Sequence, residues 1–172
     1  MAEFIQKHKL FSFYSALMLV VVLIAIFAPW LAPGDAFSSN LSQALQAPSS
    51  QHWFGTDKLG RDVLSRIIYG TQLSLFMGVS IVVIMVSIGT IIGAAAGYFG
   101  GKVEMVLMRL ADIMLSFPGI VLAIAIAGIL GGSIVNTILA LSVVGWAKYA
   151  RLVRSMTLKV RGEEYVTAAV MM

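Results

Sequence analysis

Apolar positions along the chain fall into long unbroken runs separated by short polar stretches. A helix that crosses a bilayer needs about 20 mostly apolar residues. The first such run covers residues 13–31 and ends at Pro29, Trp30 and Pro33. Lys7 and Lys9 precede it, as in a secretory leader, but the run is longer than a leader's apolar segment. No small-x-small cleavage pattern stands before Pro29, so an uncleaved anchor is expected, with residues 1–12 as its tail. A long polar stretch follows, residues 32–72. Its first half is loop-like, with Ser38, Ser39, Asn40, Pro48, Ser49 and Ser50. Its second half, Gly60 to Tyr69, places Val63, Leu64, Ile67 and Ile68 on one face, predicting a short helix at the membrane interface. Asp62 and Arg66 are four apart, a spacing that lets side chains pair.

Residues 73–99 carry no charge and form the second expected span. Gly89, Gly93 and Gly97 recur every four residues within it, which predicts a smooth stripe for close helix packing. The third span is read as one long helix, 103–130, that starts outside the hydrocarbon and enters it near Pro118. Arg109 and Asp112, three apart, can pair across one turn. Gly131, Gly132 and Ser133 make a turn, and a fourth span covers residues 134–155. Its end carries Lys148, Arg151 and Arg154, and residues 156–172 continue as a basic then small-residue cytoplasmic segment. The pattern as a whole predicts an all-α, polytopic transmembrane helix bundle.

Composition strengthens this reading. Hydrophobic residues make up 59% of the 172 and charged residues 12%, against roughly half and a quarter in soluble domains. Such a chain has too little polar surface to face water. The net charge is +4, and the cations flank apolar runs without interleaved aromatics. They therefore report orientation and not nucleic-acid binding. With the N-terminus inside, Lys7, Lys9, Lys102, Arg109, Lys148, Arg151, Arg154, Lys159 and Arg161 are cytoplasmic. Only Lys58, Arg61 and Arg66 then lie outside.

Candidate chemistry is sparse. The chain has no cysteine, which excludes disulfides, thiolate metal sites and thiol catalysis. His8 and His52, the two histidines, are expected to be solvated. The ten methionines are scattered through apolar helices as flexible packing. Gly55 to Asp62 contains glycines but lacks the Gly-Lys-Ser/Thr of a phosphate loop. No cofactor site is expected in this chain, and no ionisable residue lies deep in a span to relay protons. Glu163-Glu164-Tyr165-Val166-Thr167-Ala168-Ala169 combines charge with small residues after a basic helix, a composition suited equally to docking a soluble partner and to an ordinary solvated loop.

Several segments together resemble the permease subunits of bacterial ATP-binding cassette importers for dipeptides, oligopeptides and nickel. His52-Trp53-Phe54-Gly55-Thr56-Asp57-Lys58-Leu59-Gly60-Arg61-Asp62-Val63-Leu64-Ser65-Arg66 is similar to that family's outer-loop signature. Ala96 to Gly101 resembles its turn after the second span. Arg109, Asp112, Phe117 and Pro118 fit the third, and Tyr149 to Ser155 the end of the fourth. The family's coupling loop reads Glu-Ala-Ala, three variable residues, then Gly. Thr167 occupies the Glu position here, Ala168 and Ala169 match, and Val170 to Met172 are the variable residues. The resemblance implies a type I importer permease fold with four of about six helices present, the chain stopping within its coupling loop. It implies a non-catalytic subunit working with a second permease, two ATPase subunits that bind ATP and Mg, and an extracytoplasmic binding protein. Glu163, Glu164, Tyr165, Thr167, Ala168 and Ala169 are the expected ATPase contacts. The expected location is the bacterial inner membrane, and the Trp146 to Arg151 segment is similar to nickel members. A passive channel or membrane scaffold is the other class of helix bundle this pattern allows.

Overall fold

The computed structural model describes residues 9–164 and residue 166. Among them the chain is all-α, with one isolated antiparallel bridge, Thr56 to Asp62, in a loop. The helices are α1 (Lys9–Ile26), α2 (Ala28–Leu31), α3 (Val63–Phe99), α4 (Gly101–Ser116), α5 (Gly119–Leu130) and α6 (Ile134–Arg161). The chain divides into two compact units, residues 1–76 and 77–172.

In the first unit, α1 is almost uniformly apolar, and Phe27 breaks it from the single turn α2, which carries Pro29. Most α1 side chains are exposed, including Phe13, Leu17, Met18 and Leu19. In water that surface would cost about 25 cal/mol per Å²; hydrocarbon removes the cost. The helix expected over Gly60 to Tyr69 is not a separate element. It forms the first turns of α3, which continues to Phe99 over 37 residues. No proline interrupts this stretch, and a lone Gly70 is too weak a breaker to stop a helix this apolar.

The second unit contains the helix α6 and the pair α4 and α5 beside it. The single helix expected over 103–130 is two helices, bent by 90° at Phe117–Pro118. Proline lacks the N–H that would continue the ladder and forces extended backbone on its predecessor. Phe117 accordingly has ψ 145°. The turn at Gly131 to Ser133 forms as expected, with Ser133 N–H bonded to the Gly131 carbonyl at 3.0 Å. Ser133 caps α6 by accepting from Asn136 N–H at 3.1 Å, and the Asn136 amide closes α5 by donating to the Leu130 carbonyl at 2.6 Å. The fully buried apolar positions of this unit are Ala96, Ala111, Ala123, Ala140, Ala147 and Ala150, with Ile138 as the one larger residue. A core of alanines means that backbones approach closely, as in membrane bundles.

By length and composition, α1 and α3 can each cross a membrane, and α4 with α5 makes a third crossing if the bent pair is one span. The fourth expected span lies on α6, where Lys148, Arg151 and Arg154 fall inside residues 134–155 and shorten the apolar part.

Candidate functional site

The polar stretch before α3 is a fastened loop. Leu45 N–H bonds to the Asp57 carbonyl at 3.1 Å, Thr56 N–H to the Gln46 carbonyl at 3.1 Å and Asn40 N–H to the Leu59 carbonyl at 2.9 Å. Gly60 sits at φ +72°, where a Cβ would stand 2.6 Å from the Asn40 carbonyl carbon; only glycine fits there. Asp57 accepts from the N–H groups of Leu59 and Arg61 at 2.9 and 3.0 Å and from Arg61 Nε at 2.9 Å. The hydrogen bond from the Arg61 side chain is the main reason its pKa falls from 3.8 to about 2.

Asp62 stands immediately before α3 and is 4% exposed. Its Oδ2 accepts from both the N–H and the hydroxyl of Ser65 at 2.7 Å, and its Oδ1 lies 3.0 Å from His52 Nδ1. Burial pushes the carboxyl up, but the bonds from Ser65 and then His52 outweigh it, and the net shift is downward. The pairing expected between Asp62 and Arg66 is therefore absent. Arg66 instead reaches Asp57 at 3.5 Å and the Ala36 carbonyl at 3.3 Å, because Asp62 turns inward to cap the helix. His52 is likewise not the solvated side chain expected from its loop position; it is 17% exposed and held by Asp62. Although Ser, His and Asp meet here, both polar partners bind the carboxylate. The Ser65 hydroxyl donates to Asp62 and not to the imidazole, so the cluster caps a helix and activates no nucleophile. Among the described residues no group of three or more His, Cys, Asp or Glu could hold a metal ion.

The second unit holds the other features picked out in the sequence. Gly89, Gly93 and Gly97 all face α6. A Cβ at Gly89 would lie 2.5 Å from Tyr149 Cβ, one at Gly93 2.9 Å from Val153 Cβ, and one at Gly97 2.7 Å from Thr157 Cβ. The stripe thus seats the half of α6 that leaves the apolar region. Asp112 does not pair with Arg109 on its own helix; it pairs with Arg151 of α6. Glu104 pairs with Arg154, whose Nε lies 2.7 Å from Oε1. Arg161 donates to the Tyr98 carbonyl at 3.0 Å. These contacts, separated by 39, 50 and 63 residues, lie beyond any local spacing rule. The available hint was that Glu104 and Asp112, and separately Arg151 and Arg154, recur on one helical face each. A groove of about 420 Å³ lies between them, lined also by Met105 and Met108.

Glu163 and Glu164 follow directly on Gly162, the C-cap of α6, and both are exposed. Tyr165, Thr167, Ala168 and Ala169 lie outside the described residues, as does His8.

A family model described as "Binding-protein-dependent transport system inner membrane component" matches residues 89–172, beginning at the first glycine of the stripe. A second, "N-terminal TM domain of oligopeptide transport permease C", matches residues 5–48. The chain is 44% identical over 165 residues to a dipeptide transport system permease protein of Alkalihalophilus pseudofirmus, covering 96% of this chain and 54% of that protein. The chain belongs to the permease family of peptide and nickel transport systems. Within that family it is also 38% identical over 150 residues to the nickel transport system permease protein of Escherichia coli K12, covering 87% of this chain and 54% of the relative. The oligopeptide transport system permease protein of Bacillus subtilis is 36% identical over 164 residues, covering 95% and 54%. The chain spans about half the length of these relatives. The all-α architecture, with apolar helices exposed as a membrane protein requires, agrees with this family.

Proposed function

We propose that this chain is part of a permease subunit of an ATP-binding cassette importer, forming half of a translocation pathway for peptides, nickel or metal chelates. The observation that carries the proposal is the 44% identity to a dipeptide permease across nearly the whole chain. Its partners would be a second permease subunit, two ATPase subunits that bind ATP and Mg, and an extracytoplasmic substrate-binding protein. The subunit itself would catalyse nothing. It would sit in the bacterial inner membrane with its N-terminus cytoplasmic and spans over residues 13–31, 73–99, 103–130 and 134–155. The nine-to-three distribution of cations supports that orientation.

Glu163, Glu164, Tyr165, Thr167, Ala168 and Ala169 would dock the ATPase, because charge and small side chains follow directly on the rigid end of α6. Gly89, Gly93 and Gly97 would let α6 pack closely enough to pass movement into the bundle. Affinity purification of the full-length gene product from its native membrane tests the assignment. An ATPase subunit should co-purify in stoichiometric amount, whereas a channel or scaffold would bring none. Replacing Ala168 and Ala169 with arginine should leave the complex assembled while uptake per ATP hydrolysed falls. Normal coupling in that variant would remove these two residues from the docking surface.

A further inference from the structure

We propose that Arg151 and Arg154 act as two clasps that make the basic half of α6 and the whole of α4 one rigid lever, with Glu104 and Asp112 as its positioning residues. The inference rests on the importer reading above, since in sequence the lever leads into the Glu163 to Ala169 segment proposed to dock the ATPase. Glu104 and Asp112 are eight residues apart on α4, about 12 Å along the axis, whereas Arg151 and Arg154 are three apart on α6, about 4.5 Å. Glu104 takes Arg154 and Asp112 takes Arg151, so the two helices run antiparallel and the paired side chains splay across their crossing. One ion pair would leave a pivot. Two pairs of unequal span remove the rotation about it.

A separate contact ties the far end of α6 to α3. Arg161 lies seven residues beyond Arg154, two turns along the same face, and donates to the Tyr98 carbonyl at the end of α3. That carbonyl belongs to a helix C-terminus, where a cation is favoured. The glycine stripe of that same helix, α3, holds Tyr149, Val153 and Thr157. The extension is therefore held by both α3 and α4 along the length that connects the apolar part of α6 to Gly162.

Stability alone does not account for the arrangement. The Arg151–Asp112 side chains are 51% and 47% exposed, and such an exposed pair contributes little, about 0–1 kcal/mol; the Arg154–Glu104 pair is half-buried. What such pairs fix is direction. A docking segment displaced by an ATPase would move α4 with it, up to the 90° break at Phe117–Pro118.

The test uses the complete transporter in proteoliposomes and measures ATP hydrolysed per substrate imported. Glu104→Gln combined with Asp112→Asn should raise that ratio at least about fivefold, the low end of allosteric coupling factors, with the melting temperature of the complex unchanged. The reversed pair Glu104→Arg with Arg154→Glu should restore most of the coupling. A ratio within about twofold of the parent in the doubly neutralised variant would overturn the lever. If the parent shows no ATP-driven uptake, the importer reading has failed, and the clasp is then judged by itself. Nitroxide labels at Met105 and Leu158 should give a narrow distance distribution that broadens when Glu104 and Asp112 are neutralised. An unchanged width would overturn it.

Discussion

Asp62 illustrates how much one side chain can organise when it is buried beside a helix start. It caps α3 through Ser65, and Ser65 in turn accepts from Gly34 N–H at 3.0 Å, so the loop is drawn onto the helix through one carboxylate. Asp62→Ala removes the cap, at about 1 kcal/mol, and leaves the Ser65 hydroxyl without its acceptor and His52 without its carboxylate, at about 1–3 kcal/mol more. A lower melting temperature in detergent, with faster proteolysis between residues 34 and 62, is expected; cleavage at the parent rate would contradict the fastened loop. Asp57 sets the loop's acid limit. Because its folded pKa is below its ordinary value of 3.8, its contribution is complete above about pH 4 and is lost as the pH falls toward about 2. The fluorescence of Trp53, with Trp30 and Trp146 replaced by phenylalanine, should therefore change below pH 4 and stay constant from pH 5 to 8. None of this was readable from spacing alone. The i,i+4 rule favoured Asp62 with Arg66, and it failed because the loop supplied His52, a closer partner ten residues upstream.

At the scale of elements, the apolar runs overlap α1, α3, α5 and α6, and the differences sit where a local breaker competes with a run. Gly70 does not interrupt α3, since one glycine costs about 1 kcal/mol in a helix stabilised over ten turns. Pro118 does divide α4 from α5, because proline removes a bond and clashes with the preceding turn. The glycine stripe was legible because its four-residue spacing is itself the geometry of a helix face, but its partner, α6, was not. Gly93→Leu should lower the stability of the bundle by about 1–3 kcal/mol, the usual cost of overpacking. Gly78, with nothing within 4 Å of a would-be Cβ, offers the control. Gly78→Ala should be neutral or stabilising by up to about 1 kcal/mol. Equal melting temperatures for the Gly93 and Gly78 variants would show that α3 and α6 do not approach as described.

For the molecule as a whole, membrane residence follows from exposed side chains such as Ile129, Ile120 and Trp30, at 86%, 77% and 77%, which only lipid or protein partners can cover. Family membership came from motif-level resemblance in the outer loop and at the end of α6, and the similarity to peptide and nickel permeases agrees with it. Substrate choice was not legible, since the chain is similar to dipeptide, oligopeptide and nickel permeases alike, at 44%, 36% and 38% identity. The clasps between α4 and α6 were not legible either, because they join residues far apart in the chain. The measurement that bears most directly on the proposed role is substrate flux in proteoliposomes containing the complete complex and its binding protein. The account predicts accumulation of labelled dipeptide or nickel against its gradient only when ATP is hydrolysed. Equal downhill flux with and without ATP would contradict it.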